Sequence, residues 1–95
     1  RRNPLDQVGL ASHLLFFDGR DREQVAFARH YLDAAQVPVK PILVGGSYMA
    51  LMRAWKRPVF HDQDGSLVKK LAITQVPAVV SQDGKRLRIA ELEPR

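Results

Sequence analysis

Two short apolar runs, Leu14-Leu15-Phe16-Phe17 and Ile42-Leu43-Val44, each lead into a segment with helical periodicity, and this alternation constrains the fold most. A brief continuous apolar run closed by a turn suits a strand buried on both faces. The first run closes at Asp18-Gly19 and the second at Gly45-Gly46. After the first, Asp21 with Gln24 three residues on makes a capping-box pattern. Val25, Ala28, Leu32 and Ala35 then recur at helical spacing, Phe27 and Tyr31 widen the stripe, and Pro38 stops it. After the second run, Ser47 is a natural N-cap for a helix whose Tyr48, Leu51, Met52 and Trp55 fall at i, i+3, i+4 and i+7, ended by Pro58. Strands alternating with helices predict a parallel sheet.

The rest of the chain changes this pattern. Val59-Phe60 reads as a brief extended piece, and Asp62-Gln63-Asp64-Gly65 turns into a short third helix carrying Leu67, Val68 and Leu71. Val76-Pro77 then opens a terminal hairpin. Ala78-Val79-Val80 and Leu87-Arg88-Ile89 flank a turn at Gln82-Asp83-Gly84, with Arg86 and Arg88 expected outward and Leu87 and Ile89 inward. A proline at the first residue of a strand removes no required ladder donor. An X-Pro bond adopts cis at small cost, and cis re-aims the preceding loop, but a trans proline that simply opens the strand accounts for these residues equally well. The expected architecture is α/β: a small three-layer sandwich with a mixed sheet over residues 14–95, preceded by an extended lead-in over residues 1–13.

Composition narrows the function. Ninety-five residues suffice for one domain, and the sequence has no apolar run near the ~20 residues of a membrane helix. The net charge of +5 comes from scattered Lys and Arg, with no basic run and no aromatic-rich strand, which favours a solvated positive surface over a nucleic-acid site. The absence of cysteine excludes disulfides, thiolate catalysis and cysteine-ligated metal. Gly45-Gly46-Ser47 lacks the spacing and the Lys of a phosphate loop. The calcium reading of Asp62–Gly65 fails because Phe60 and Leu71 would have to be ligands. His13, His30 and His61 lie in different elements, and no serine has a nucleophile-elbow context. The chain opens Arg1-Arg2-Asn3 without Met, so it is expected to be a piece of a longer precursor.

The element order, the "VPAVV" segment and the returning strand around "DGKRL" resemble the thioredoxin fold, which implies that the Val76-Pro77 bond is cis. Redox members of that fold place a cysteine pair just after the strand corresponding to Leu14–Phe17, where this chain has Asp18-Gly19-Arg20-Asp21. The resemblance is closer still to the C-terminal domain of the TraW family of F-type conjugative transfer systems. It is carried by "NPLD" at 3–6, "LLFFDGRDREQVAFA" at 14–28, "ILVGGS" at 42–47, "LMRAWKRPVFHDQDG" at 51–65 and "ITQVPAVVSQDGKRLRIAEL" at 73–92. It implies a periplasmic, non-enzymatic part of a type IV secretion apparatus that assembles conjugative pili. It also implies no cofactor, and action beside TrbC, another thioredoxin-like protein. In this fold the turn after the first strand and the loop before the proline lie side by side, so Asp18, Gly19 and Arg20 with Thr74, Gln75, Val76 and Pro77 are the candidate partner-binding residues. The alternative is a redox-inactive, chaperone-like domain that binds unfolded polypeptides.

Overall fold

The computed structural model describes residues 13–83 and 86–92. The first apolar run forms β1 (His13–Asp18), the central strand of a five-stranded sheet. It is followed by α1 (Arg22–Ala34), β2 (Val39–Gly45), α2 (Tyr48–Trp55), β3 (Phe60–His61), a 3-10 turn at Gln63–Gly65, α3 (Ser66–Lys70), β4 (Ala78–Asp83) and β5 (Arg86–Glu91). The strand order is β3-β2-β1-β4-β5. β1 runs parallel to β2, and β2 to β3, whereas β4 is antiparallel to both β1 and β5. The lead-in over residues 1–12 and the turn residues 84 and 85 lie outside the described residues, and His13 already belongs to β1.

Side-chain alternation along β1 sets the layers. Leu15 and Phe17 face one side, where they meet Ala28 and Leu32 of α1 and Leu51, Met52 and Trp55 of α2. Phe16 faces the other side with Ile42 and Val80, covered by Val68 of α3 and by the following Leu71 and Ile73. Two helices above the sheet and one below give the three-layer, thioredoxin-like sandwich. Phe16, Phe17 and Leu15 are fully buried, and the Phe17 and Trp55 rings stack at 5.7 Å. Burying one such side chain contributes roughly 1.5–3 kcal/mol.

Several local details differ from the sequence reading. β2 begins at Val39 instead of Ile42, because pairing with β1 starts at His13 opposite Val39. Pro41 fits within it because β3 pairs with β2 only at Ile42 and Leu43. α2 ends before Pro58, at a left-handed Lys56 (φ 56°) whose N–H donates to the Met52 carbonyl at 2.8 Å. The expected inward facing of Leu87 and Ile89 is overturned: they are 45% and 37% exposed. Ile89 pairs with Val80 and so lies on the α3 face, but a five-residue α3 does not extend over the outermost strand.

Candidate interaction site

The carboxyl ends of β1 and β2 and the amino end of β4 emerge at the same end of the sheet. The antiparallel register pairs Phe16 with Ala78, so Asp18 and Val76 leave neighbouring strands two residues further on. The structure therefore brings the two predicted loops to one edge. Among the described residues no hydrogen bond joins them to each other.

The first loop is built around Asp18. Its Oδ1 accepts from the Arg20 backbone N–H at 2.9 Å and from Arg20 Nε at 3.0 Å, while Oδ2 accepts from Arg20 Nη2 at 3.0 Å. This two-pronged pairing holds the Asp18 carboxyl below its ordinary range, and the carboxylate in turn raises the Arg20 guanidinium. Asp18 stays half-buried while Arg20 projects into solvent. The loop rests on β2: the Gly19 N–H donates to the Gly45 carbonyl at 2.9 Å. Gly46 is needed for this contact. Its φ is +91°, and a Cβ there would lie 3.0 Å from the Gly19 carbonyl carbon.

Gln24 serves the same turn, though not as the expected capping box. Asp21 Oδ1 accepts from the Glu23 N–H at 2.9 Å, as an N-cap should. The Gln24 amide does not return to the Asp21 backbone. It donates to Asp21 Oδ2 at 3.2 Å and accepts from the Asp18 N–H at 2.9 Å, bridging the end of β1 to the start of α1.

The second loop, Thr74–Pro77, is tethered by a residue that sequence reading missed. Glu91 Oε2 accepts from the Thr74 N–H at 2.8 Å, the Thr74 hydroxyl at 2.9 Å and the Gln75 N–H at 3.2 Å. The Thr74 backbone N–H is the main cause of a Glu91 carboxyl held below its ordinary range. Only the pairing of Ala78 with Glu91 makes this tether possible, and a turn of uncertain length concealed that register in the sequence. Val76 is half-buried against the Phe16, Ile42 and Val80 cluster. With Val44, Val68, Ile73, Thr74 and Gln75 it lines a cavity of about 180 Å³. Pro77 is fully buried after a cis Val76–Pro77 bond.

The other singled-out residues lie elsewhere. Ser47 caps α2, its Oγ accepting from the Ala50 N–H at 3.1 Å. His13 sits 3.4 Å from the Tyr31 hydroxyl, His61 stacks on Tyr48 at 5.5 Å, and His30 is exposed on α1. Among the described residues no three His, Asp or Glu side chains converge as metal ligands would, and no helix is long and apolar enough to cross a membrane. The edge sets a charged turn, a tethered loop and a small apolar recess side by side.

No family model and no solved structure matches the chain. Protein TraW of Escherichia coli (strain K12) is 38% identical to it over 79 residues, which is 83% of this chain and 37% of that protein. The chain is a TraW-like domain. It spans well under half the length of that curated relative.

Proposed function

We propose that this TraW-like domain is a non-enzymatic assembly module of a conjugative type IV secretion system, acting in the periplasm. It supports pilus assembly and DNA transfer through protein–protein interaction, with a TrbC-like thioredoxin-fold protein as partner. The observation that carries the reading is the 38% identity over 79 residues with TraW. A chain without cysteine has no thiolate for disulfide exchange, so a thioredoxin-like scaffold here works by binding. The docking surface is the edge formed by Asp18, Gly19 and Arg20 with Thr74, Gln75, Val76 and Pro77. Loops held on a rigid sheet are where binding residues concentrate.

The test is a pull-down with the tagged chain from cells carrying the cognate transfer operon. Recovery of one defined TrbC-like partner supports the reading, whereas recovery of many unrelated unfolded chains overturns it in favour of a chaperone-like role. Because Val76 packs against the sheet, the surface is best probed at its exposed neighbours, with Arg20→Glu and Gln75→Glu combined. Loss of partner affinity by about tenfold or more, with unchanged circular dichroism, supports this edge; affinity within about twofold of the parent removes it from consideration.

A further inference from the structure

We propose that the groove between α1 and α2 is a second docking site, shaped for an acidic amphipathic helix of a partner protein. The groove has a volume of about 500 Å³, with Val25, Ala26, Leu51 and Trp55 as its apolar lining and Arg22 and Arg29 beside them. It opens on the helical face of the sheet and shares only Gly19 with the loop edge described above.

The pattern on α1 specifies the occupant. Arg22, then Val25 and Ala26, then Arg29 stand at i, i+3, i+4 and i+7, so they form one stripe of charge, apolar surface and charge. At a rise of about 1.5 Å per residue the two arginines are about 10 Å apart along the helix. The complementary stripe is a helix with carboxylates at i and i+7 and apolar side chains at i+3 and i+4 between them. Trp55 gives that apolar pair a half-buried aromatic surface to cover, and the Arg29 guanidinium already lies over its ring at 5.9 Å. Arg29 reaches Asp33 through Nε at 3.3 Å, an exposed pair that an incoming carboxylate can compete with. Trp and Arg in a partly desolvated recess are the residue types that dominate interface energetics. The net charge of +5 adds long-range attraction for an acidic segment.

Trp55 is the chain's single tryptophan, so its fluorescence reports directly on the groove. The probe is a helical peptide of about 16 residues, free of Trp and Tyr, with Glu at i and i+7 and Leu at i+3 and i+4. A saturable change in Trp55 emission is expected with an affinity on the order of 10–100 μM. Replacing both Glu by Lys, or both Leu by Ser, should weaken binding by about tenfold or more. Arg22→Glu combined with Arg29→Gln should do the same; an acid in the first turn of a helix is favourable, and Gln sets no second anion beside Asp33. The charge-neutral variant Gln75→Ala, on the loop edge and away from the groove lining, should bind the peptide within about twofold of the parent. The proposal is overturned by no saturable change up to about 1 mM, by equal binding of the Lys peptide, by indifference to the Arg22 and Arg29 substitutions, or by loss of binding in the Gln75→Ala variant. This inference stands apart from the TrbC-like docking reading, which is judged by the pull-down and survives failure of the titration.

Discussion

Asp62 is 3% exposed, a charged side chain buried between a strand and a helix. Its N–H donates to the Leu43 carbonyl at 2.9 Å, and its carboxylate accepts from the Leu67 N–H at 2.8 Å and the Val68 N–H at 3.0 Å. One residue thus ties α3 to β2. Asp64 and Gly65 are both left-handed, with φ of 59° and 68°, and form the turn that lets Asp62 reach forward to the start of α3. Asp62→Ala leaves two part-buried N–H groups without their acceptor and should cost about 1–3 kcal/mol in urea denaturation. Asp62→Asn keeps one acceptor oxygen and should cost less. An alanine variant as stable as the parent would show that the tie contributes nothing. At the loop edge, Asp18 and Glu91 have carboxyls held below their ordinary range. Groups with depressed folded values stabilise fully above the ordinary range near pH ~4, and that contribution is lost as pH falls through the lowered folded values. In an NMR titration the Thr74 and Gln75 amide proton shifts should therefore move together, at a midpoint below that of a model glutamate. Glu91→Gln should abolish the movement. A midpoint at or above the model value contradicts the tether.

At the scale of elements, burial and not hydrophobicity decides which apolar residues carry the fold. Phe17 is fully buried against Trp55, whereas Leu87 on the outermost strand is 45% exposed. Phe17→Ala should destabilise by about 3–5 kcal/mol, through lost transfer energy and the cavity left behind. Leu87→Thr should stay within about 0.5 kcal/mol, because it removes no buried contact and keeps β propensity. A large loss from the Leu87 change would mean that β5 is covered in solution. The contrast marks what the sequence made legible. Elements with their own periodicity were readable: the apolar runs of β1 and β2, the stripes of α1 and α2, and the Ser47 cap all depend on neighbours within one turn. β5 was readable as the returning strand but its burial was not, because alternation predicts two faces but not whether a helix lies over either. Similarly, the two loops of this edge were placed together by the resemblance, while Glu91, which holds one of them, depends on a cross-strand register that composition does not reveal. Gln24 illustrates the same limit on a shorter range: its spacing from Asp21 was visible, its bridge to the Asp18 amide was not.

For the whole molecule, the consequence of a single shared sheet is cooperativity. Phe16 and Phe17 are adjacent in β1 yet belong to different clusters, Phe17 to the α1 and α2 side and Phe16 to the α3 side. β2 and β4 are divided likewise, with Val39 and Leu43 on one side and Ile42 on the other, and Val79 and Val80 apart. Neither face can lose its packing without loosening strands that the other requires. A chain of 95 residues also buries only roughly 60–65% of its unfolded surface, which leaves little stability for half a core to stand alone. Unfolding should therefore be one transition. Trp55, stacked on Phe17 at 5.7 Å, reports on the α1 and α2 side, while far-ultraviolet circular dichroism reports on all helices and strands. Urea curves from the two probes should superimpose. The sharper test is Phe16→Ala, a change made only on the α3 side. It should shift the Trp55 curve and the dichroism curve together, by a stability loss of about 3–5 kcal/mol. If the α3 side behaved as an independent unit, the dichroism would lose amplitude early while Trp55 kept the parent midpoint. That separation would refute the shared-sheet account, because the fluorescence probe touches nothing that the substitution removes and can respond only through β1 and its neighbours.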